Sequence, residues 1–138
     1  MALSADFMPQ RRGAPPSAGA IFGGAVAPGE TVYMGGLVCW NSSGQLQRLQ
    51  TTGSLSFAGL AAKHVANAGN ASASAPPPLE ALRGTFALNV PSATYANINA
   101  NVYATDDGTL TLTASTNMLV GTLAGIENGQ TFVKLLGS

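Results

Sequence analysis

The C-terminal third of the chain, residues 101–135, constrains the fold more than any other part. It reads NVYATDDGTLTLTASTNMLVGTLAGIENGQTFVKL, a series of short segments in which apolar and polar residues alternate. Turn sequences at 106–108 (Asp-Asp-Gly) and 127–129 (Glu-Asn-Gly) separate them. Asp-Gly and Asn-Gly pairs supply the positive φ that tight hairpin turns require. The region therefore predicts antiparallel sheet formed strand after strand, and it shows no group arranged for catalysis.

Similar patterns upstream extend this prediction to most of the chain. Residues 31–40 predict a strand pair or one bent strand, in which Gly35-Gly36 marks a bulge or a close backbone approach. Further predicted elements are a turn at 41–44 and strands at 45–49, 56–65 and 82–90. The alanines of 56–65 also allow a helix, which Gly59 disfavours. Seven or eight short strands with turns between them are typical of an all-β fold, a small antiparallel barrel or sandwich.

One short helix interrupts the strands. In residues 91–98, PSATYANI, Ser92 is placed to cap a helical turn. The spacing of Tyr95 and Ile98 predicts that both side chains pack on one side of that turn.

The N-terminal residues 1–30 differ from the rest, and we expect an extended arm there. Four prolines and a glycine-rich run at 19–29 disfavour both helix and central strand. Ordering such a segment opposes folding by about 1–2 kcal/mol per residue in backbone entropy, which its few apolar side chains do not offset. We therefore expect the arm to be disordered in isolation or fixed by lying across another surface.

Residues 31–138 are then predicted to form a single β domain with a long loop at 67–78. The loop, NAGNASASAPPP, consists of small residues and ends in a stiff proline run. Its length is consistent with a partner-facing loop or with a tolerated surface insertion, and the sequence leaves both interpretations open.

Charge is scarce along the whole chain. Only 9% of its 138 residues are Asp, Glu, Lys or Arg, and the formal net charge is zero, whereas a typical soluble domain has about 25% charged residues. Nucleic-acid binders carry a basic face, so the composition argues against nucleic acid as a partner. So few charges protect poorly against association, which indicates a surface that partners cover. No apolar run reaches the roughly 20 residues of a membrane-spanning helix, and we expect no membrane partner.

Candidate catalytic groups are few, and we expect no enzyme activity, cofactor or metal. Cys39 is the only cysteine and His64 the only histidine, and no serine motif accompanies His64. The adjacent carboxylates of Asp106 and Asp107 are explained as turn residues before Gly108. No phosphate-binding glycine motif, zinc spacing or calcium loop is present. A small hydrolase built around His64 ranks last among our hypotheses, and Cys39 is expected to be an inert packed thiol.

Candidate partner-binding residues lie mainly in the arm. The pair Arg11-Arg12 would dock on an acidic patch or would simply be solvated. Trp40 continues the apolar strand before it and is expected in the core or at a subunit interface. The predicted partner-binding set is Phe7, Arg11, Arg12, Phe22 and Trp40.

The order of these pieces resembles the capsid decoration (cement) proteins of bacteriophages. The strand with Tyr33, Gly35-Gly36 and Leu37-Val38, followed by the turn at 41–44 and Leu46, is similar to the opening of that family. TYANINANVYATDDGTLTLT is similar to its short helix and following hairpin, and VGTLAGIENGQTFVKL to its closing hairpin. The resemblance covers about residues 28–136, and the loop at 67–78 is longer than the family pattern.

The resemblance implies a head-stabilising structural protein of the virion. It would form a homotrimer of β-tulip-like subunits on the outer surface of an expanded capsid, at three-fold and quasi-three-fold positions. There it would clamp neighbouring subunits of the major capsid protein, after synthesis in the host bacterial cytoplasm. The alternative is a carbohydrate- or receptor-binding β module of a phage tail, which would require Tyr33, Trp40, Tyr95 and Tyr103 to share an exposed face.

Overall fold

A computed structural model of the protein describes residues 2–12, 21–53, 55–67 and 77–137, with the main chain alone described at 11, 12, 21 and 22. The strands, in chain order, are β1 (Arg11–Arg12), β2 (Ile21–Ala25), β3 (Thr31–Val32), β4 (Leu37–Trp40), β5 (Leu46–Arg48), β6 (Ser56–Ala61), β7 (Val65–Ala66), β8 (Pro78–Leu82), β9 (Thr85–Ala87), β10 (Asn101–Ala104), β11 (Leu110–Thr111), β12 (Met118–Glu127) and β13 (Gln130–Leu135). A single 3-10 turn spans Tyr95–Asn97.

The strands form antiparallel sheets, as the sequence predicts. A six-stranded sheet has the order β1-β9-β13-β12-β10-β11, a five-stranded sheet the order β2-β8-β6-β4-β5, and β3 pairs with β7. Within the described residues the sheets stay open and fit a sandwich rather than a closed barrel. The all-β prediction is therefore confirmed.

Both predicted C-terminal turns are hairpin turns. Asn128 and Gly129, with φ of 51° and 77°, connect β12 to β13. The loop between β10 and β11 is closed by a hydrogen bond from the Thr105 amide to the Thr109 carbonyl. In that loop Asp106 Oδ1 accepts a hydrogen bond from the Gly108 amide, so Asp106 has the predicted turn role.

Strand β4 of the five-stranded sheet is buried on both faces. Leu37 and Cys39 of β4 belong to a core cluster shared with the six-stranded sheet, which contributes residues such as Phe86 and Val120. Val38, between them in sequence, belongs to a second cluster with residues of the β3–β7 pair. Alternate side chains of a strand point to opposite faces. Burial on both faces therefore explains the uninterrupted apolar sequence of β4.

The helical turn differs from the prediction in its cap and its packing. Thr94 rather than Ser92 precedes it, and the Thr94 amide donates to Asn97 Oδ1 at 2.8 Å. Ile98 packs against the core, but Tyr95 is 74% exposed. The turn ends at Asn97, and Ile98 has an extended ψ of 133°. Because the two residues do not belong to one helical segment, the prediction that Tyr95 packs beside Ile98 is wrong.

The segment expected as an N-terminal arm supplies edge strands to both large sheets. β1 pairs with β9, and β2 pairs with β8 along its full length. Glycine weakens a strand in the middle of a sheet. Because β2 is an edge strand and pairs with one neighbouring strand, its glycine-rich sequence is tolerated. The N-terminal residues are therefore integrated into the sandwich at two places.

Most of the predicted loop at 67–78 lies outside the described residues. At one end, Asn67 is buried and its Nδ2 donates to the Val26 carbonyl at 3.1 Å. At the other end, Pro78 is already the first residue of β8.

Candidate interaction surface

An ion pair connects the two large sheets. Arg48, the last residue of β5, places its Nε 2.9 Å from Oδ2 of Asp107, which lies in the loop between β10 and β11. The Asp107 side chain is 2% exposed and that of Arg48 33% exposed. The carboxylate raises the pKa of Arg48, so this guanidinium is fully charged. The Asp107 carbonyl also accepts the amide of Leu37, which attaches the loop to β4.

The same ion pair holds the main chain of Leu3. The Leu3 amide donates to Asp107 Oδ1 at 3.1 Å, and Arg48 Nη2 donates to the Leu3 carbonyl at 2.8 Å. Both backbone groups of this residue are thus satisfied by a charged partner, and hydrogen bonds to charged groups are the stronger ones. We call residues 3–12 the strap, and Leu3 is its first fixed point.

The second fixed point is Asp6. Its Oδ1 accepts a hydrogen bond from the Met34 amide at 2.8 Å and lies 2.9 Å from Nδ1 of His64. The hydrogen bond from His64 and, second, that from the Met34 amide lower the pKa of Asp6. The His64 ring stands edge-on to the Tyr33 ring, with the ring centroids 5.3 Å apart. The Cζ atom of the Arg48 guanidinium also lies 5.3 Å from the centroid of the Tyr33 ring.

The middle of the strap approaches the backbone of Gly35 very closely. The Phe7 amide donates to the Met34 carbonyl at 2.6 Å. A Cβ at Gly35 would overlap the Phe7 carbonyl, and Gly35 has a φ of 83°. Glycine is thus required here for both space and conformation, and the predicted close backbone approach at Gly35-Gly36 is confirmed.

The end of the strap joins the six-stranded sheet. The Gln10 carbonyl accepts the Ala87 amide at 2.7 Å, and Arg11 and Arg12 pair in register with Phe86 and Thr85. The main chain of the predicted arginine pair is therefore strand; its side chains lie outside the described part.

Two of the predicted partner-binding residues, Phe7 and Trp40, have described side chains. Phe7 lies in the strap and is 49% exposed. Trp40 is half-buried against the core cluster around Val38. Phe22 pairs with Ala81 through its main chain, and its side chain lies outside the described part. Phe7 thus lies on the strap surface, and Trp40 packs in part against the core of its own chain.

The aromatic residues required for a sugar platform are not assembled on one exposed face. Tyr95 is exposed, whereas Tyr33, Trp40 and Tyr103 are half-buried. Tyr33 is also engaged by His64 and Arg48.

Two depressions border these elements. A cavity of about 120 Å³ lies beside the strap, where Leu3 and Phe7 face Leu37, Leu88 and Leu110. A larger groove of about 610 Å³ runs along β2 and β8, with Lys63 and Glu80 at its edge. None of the predicted site residues whose side chains are described lines this larger groove.

Cys39 is buried, with its Sγ 3.7 Å from the Arg48 carbonyl. Burial raises the pKa of the Cys39 thiol to about 11. A thiol that stays protonated at neutral pH is a poor nucleophile, which agrees with the predicted inert packing role.

Among the described residues, no three His, Cys, Asp or Glu side chains are grouped so that they could hold a metal ion. The carboxylate nearest His64 in these contacts is Asp6, and both side chains are substantially exposed. The described part of the chain also has no helix long and apolar enough to cross a membrane.

The residues that hold the strap are not predicted as a group from the sequence. Asp107 was interpreted as a turn residue alone, and Arg48, Asp6 and Tyr33 were not proposed as a group. In a chain with so few charges, an arginine placed in a short strand is itself a signal that a carboxylate lies opposite.

Comparison of the chain with protein-family models, with curated proteins and with solved structures finds no match.

Proposed function

We propose that the protein is a structural component of a phage virion. It assembles as a homotrimer, binds the outside of the expanded capsid at three-fold and quasi-three-fold positions, and stabilises the shell by clamping neighbouring major capsid subunits. The sequence resemblance over about residues 28–136 names this partner, and an antiparallel β sandwich suits it. No catalytic step, cofactor or nucleic acid takes part in this role, and the protein acts on the outer capsid surface.

The observation that carries the proposal is the exposed strap. Phe7 is 49% exposed and Met8 43% exposed, and they are consecutive residues of a segment that is extended across the molecule. The surrounding chain has only 9% charged residues. Adjacent apolar side chains on a surface with little charge favour contact with another protein. Many such contacts of modest strength, repeated over one shell, bind with high avidity.

A direct test measures binding to capsids of the phage that encodes the chain. The double variant Phe7→Ser/Met8→Ser removes the apolar surface of the strap and leaves its main-chain hydrogen bonds in place. The matched control is Tyr95→Ser, which removes the most exposed large apolar side chain that the structure describes outside the strap. Co-sedimentation with expanded heads should fall at least tenfold for the double variant and stay unchanged for the control.

Native mass spectrometry provides the second measurement. Three chains of 13.9 kDa give an expected trimer mass of about 42 kDa. Because the proposed interface is mainly apolar, capsid binding should change little between low and moderate salt. A clean monomer that does not bind expanded heads would refute the proposed function.

A further inference from the structure

The strap is held to the sandwich mainly through its main chain. Arg48 and Asp107 bind the carbonyl and amide of Leu3, the Met34 carbonyl binds the Phe7 amide, and the Ala87 amide binds the Gln10 carbonyl. Backbone contacts of this kind bind an extended peptide along its length, as in strand addition to a sheet edge. The surface beneath the strap, which we call the strap groove, is therefore built as a peptide-binding groove.

The side chains of the strap fill this groove only in part. Pro9 is buried and Leu3 half-buried, but Phe7 and Met8 remain 49% and 43% exposed. The cavity of about 120 Å³ beside Leu3 and Phe7 remains open. Apolar burial is the main source of stabilisation in folding and association. The strap is therefore held more by its main chain than by apolar burial, as expected of a segment that can exchange between copies.

The connection behind the strap is long enough to allow another arrangement. Eight residues, 13–20, separate β1 from β2 and lie outside the described part. Eight residues span at most about 26–29 Å when extended. This distance is close to the diameter of a small domain, so the connection allows strap exchange between copies in direct contact, with β2 of one copy beside the groove of the next.

We propose that in the assembled protein the strap groove binds the strap of a second copy. The two arrangements make the same contacts, because donor and acceptor have the same sequence, and such an exchange is a route to oligomers that requires little new surface. In a closed ring each copy donates one strap and accepts one. Phe7 and Met8 of each strap are then presented from the groove of the neighbouring copy, and their exposed sides stay available to the capsid.

This inference rests on the self-association in the proposed function, not on the capsid. It makes the hydrogen bonds from Arg48 and Asp107 to the main chain of Leu3 contacts between subunits, and Asp6 of one copy becomes the partner of His64 in the next. The groove of each copy is incomplete without the strap of its neighbour.

Cysteine cross-linking of the full-length chain tests the exchange. Asp6 and His64 are both exposed, and their polar atoms lie 2.9 Å apart. The double variant Asp6→Cys/His64→Cys loses this contact but keeps the main-chain hydrogen bonds of Leu3, Phe7 and Gln10, so it should fold with the strap in the groove and should be bridged by a short bifunctional thiol reagent. After denaturation, strap exchange gives covalent dimers and closed trimers. A strap bound to its own chain gives a cross-linked monomer, which would overturn the proposal.

Mixing the two single variants provides the control. Asp6→Cys and His64→Cys chains should form covalent heterodimers only after co-assembly, and neither alone should give dimers, since Cys39 is buried. If the double variant gives neither covalent oligomers nor a cross-linked monomer, although both introduced thiols can be titrated, the strap does not occupy the groove and the proposal is wrong.

The outcomes separate the two proposals. Covalent trimers without binding to capsids would retain strap exchange and reject the capsid role. Capsid binding by a protein whose cross-link stays within one chain would retain the capsid role and reject strap exchange.

Discussion

The guanidinium of Arg48 and the carboxylate of Asp107 join the five-stranded sheet to the six-stranded sheet, with Nε 2.9 Å from Oδ2. The two residues are 59 positions apart in the chain. Together they also bind both backbone groups of Leu3. One charged pair therefore fixes three separate parts of the chain, in a protein that has few charges elsewhere.

Removing the arginine should destabilise the fold strongly. Arg48→Ala leaves the buried Asp107 carboxylate without its cation, and breaking a buried pair from one side costs about 3 kcal/mol or more. Chemical denaturation should show this loss as a lower midpoint. Lys134→Ala, which removes a cation from the exposed face of β13, is the control and should change stability by less than about 0.5 kcal/mol. Equal effects of the two substitutions would show that the ion pair does not stabilise the fold.

Attachment of the strap should depend on Gly35. Gly35→Ala places a Cβ where the Phe7 carbonyl lies, so the strap must detach or shift. Gly44→Ala is a matched control, because Gly44 has a similar φ of 74° and open space around its Cβ position. Both variants carry the strain of positive φ, about 1–2 kcal/mol. Only Gly35→Ala should abolish the hydrogen-exchange protection of the Phe7 amide.

Retained protection of the Phe7 amide in Gly35→Ala would mean that the strap adjusts without leaving the groove. Loss of protection in both variants would instead point to general destabilisation of the fold.

The sequence predicted the hairpins because their cause is local. The Asn128-Gly129 pair favours the positive φ of a tight turn independently of the rest of the chain. The alternation of apolar and polar residues on either side of the pair predicts the two strands. The same local reasoning failed at Asp107. Its position before Gly108 accounted for a turn, but its carboxylate is directed to an arginine from another sheet, a relationship that no spacing within the loop reveals.

The position of the strap was also beyond reach, for a different reason. Its contacts use the amides and carbonyls of Leu3, Phe7 and Gln10, and every residue except proline has both groups. Main-chain recognition therefore leaves no side-chain pattern in the sequence. Only Gly35-Gly36 indicates the strap in the sequence, because this pair predicts a close backbone approach. It does not identify the segment that approaches.

Acid should loosen the second fixed point of the strap. The pKa of Asp6 is lowered by its hydrogen bonds from His64 and Met34, from an ordinary value of 3.8. A carboxylate with a lowered pKa in the folded state stabilises above its unfolded value, and the contribution is lost as the pH falls through the folded value. Hydrogen exchange of the Met34 amide, which donates to Asp6, should therefore accelerate as the pH is lowered below 3.8.

Asp6→Asn is the control for this titration. The amide has no proton to gain in this range, so the additional acid-dependent loss of Met34 protection should disappear, once intrinsic exchange rates are corrected for pH. An identical pH profile in wild type and variant would show that Asp6 does not hold the strap.

Substitutions at two adjacent glycines of β2, Gly23 and Gly24, should affect the fluorescence of Trp40 differently. A Cβ at Gly24 would lie 2.6 Å from Cζ3 of the Trp40 ring, whereas a Cβ at Gly23 meets no atom closer than 3.8 Å. Gly24→Ala should therefore displace the half-buried ring towards water, shift its fluorescence to longer wavelength and destabilise the fold by about 1–3 kcal/mol. Gly23→Ala, on the same strand, should leave the emission unchanged. Since Trp40 is the only tryptophan of the chain, the emission reports this contact alone, and equal spectra for the two variants would contradict the packing of Trp40 on Gly24.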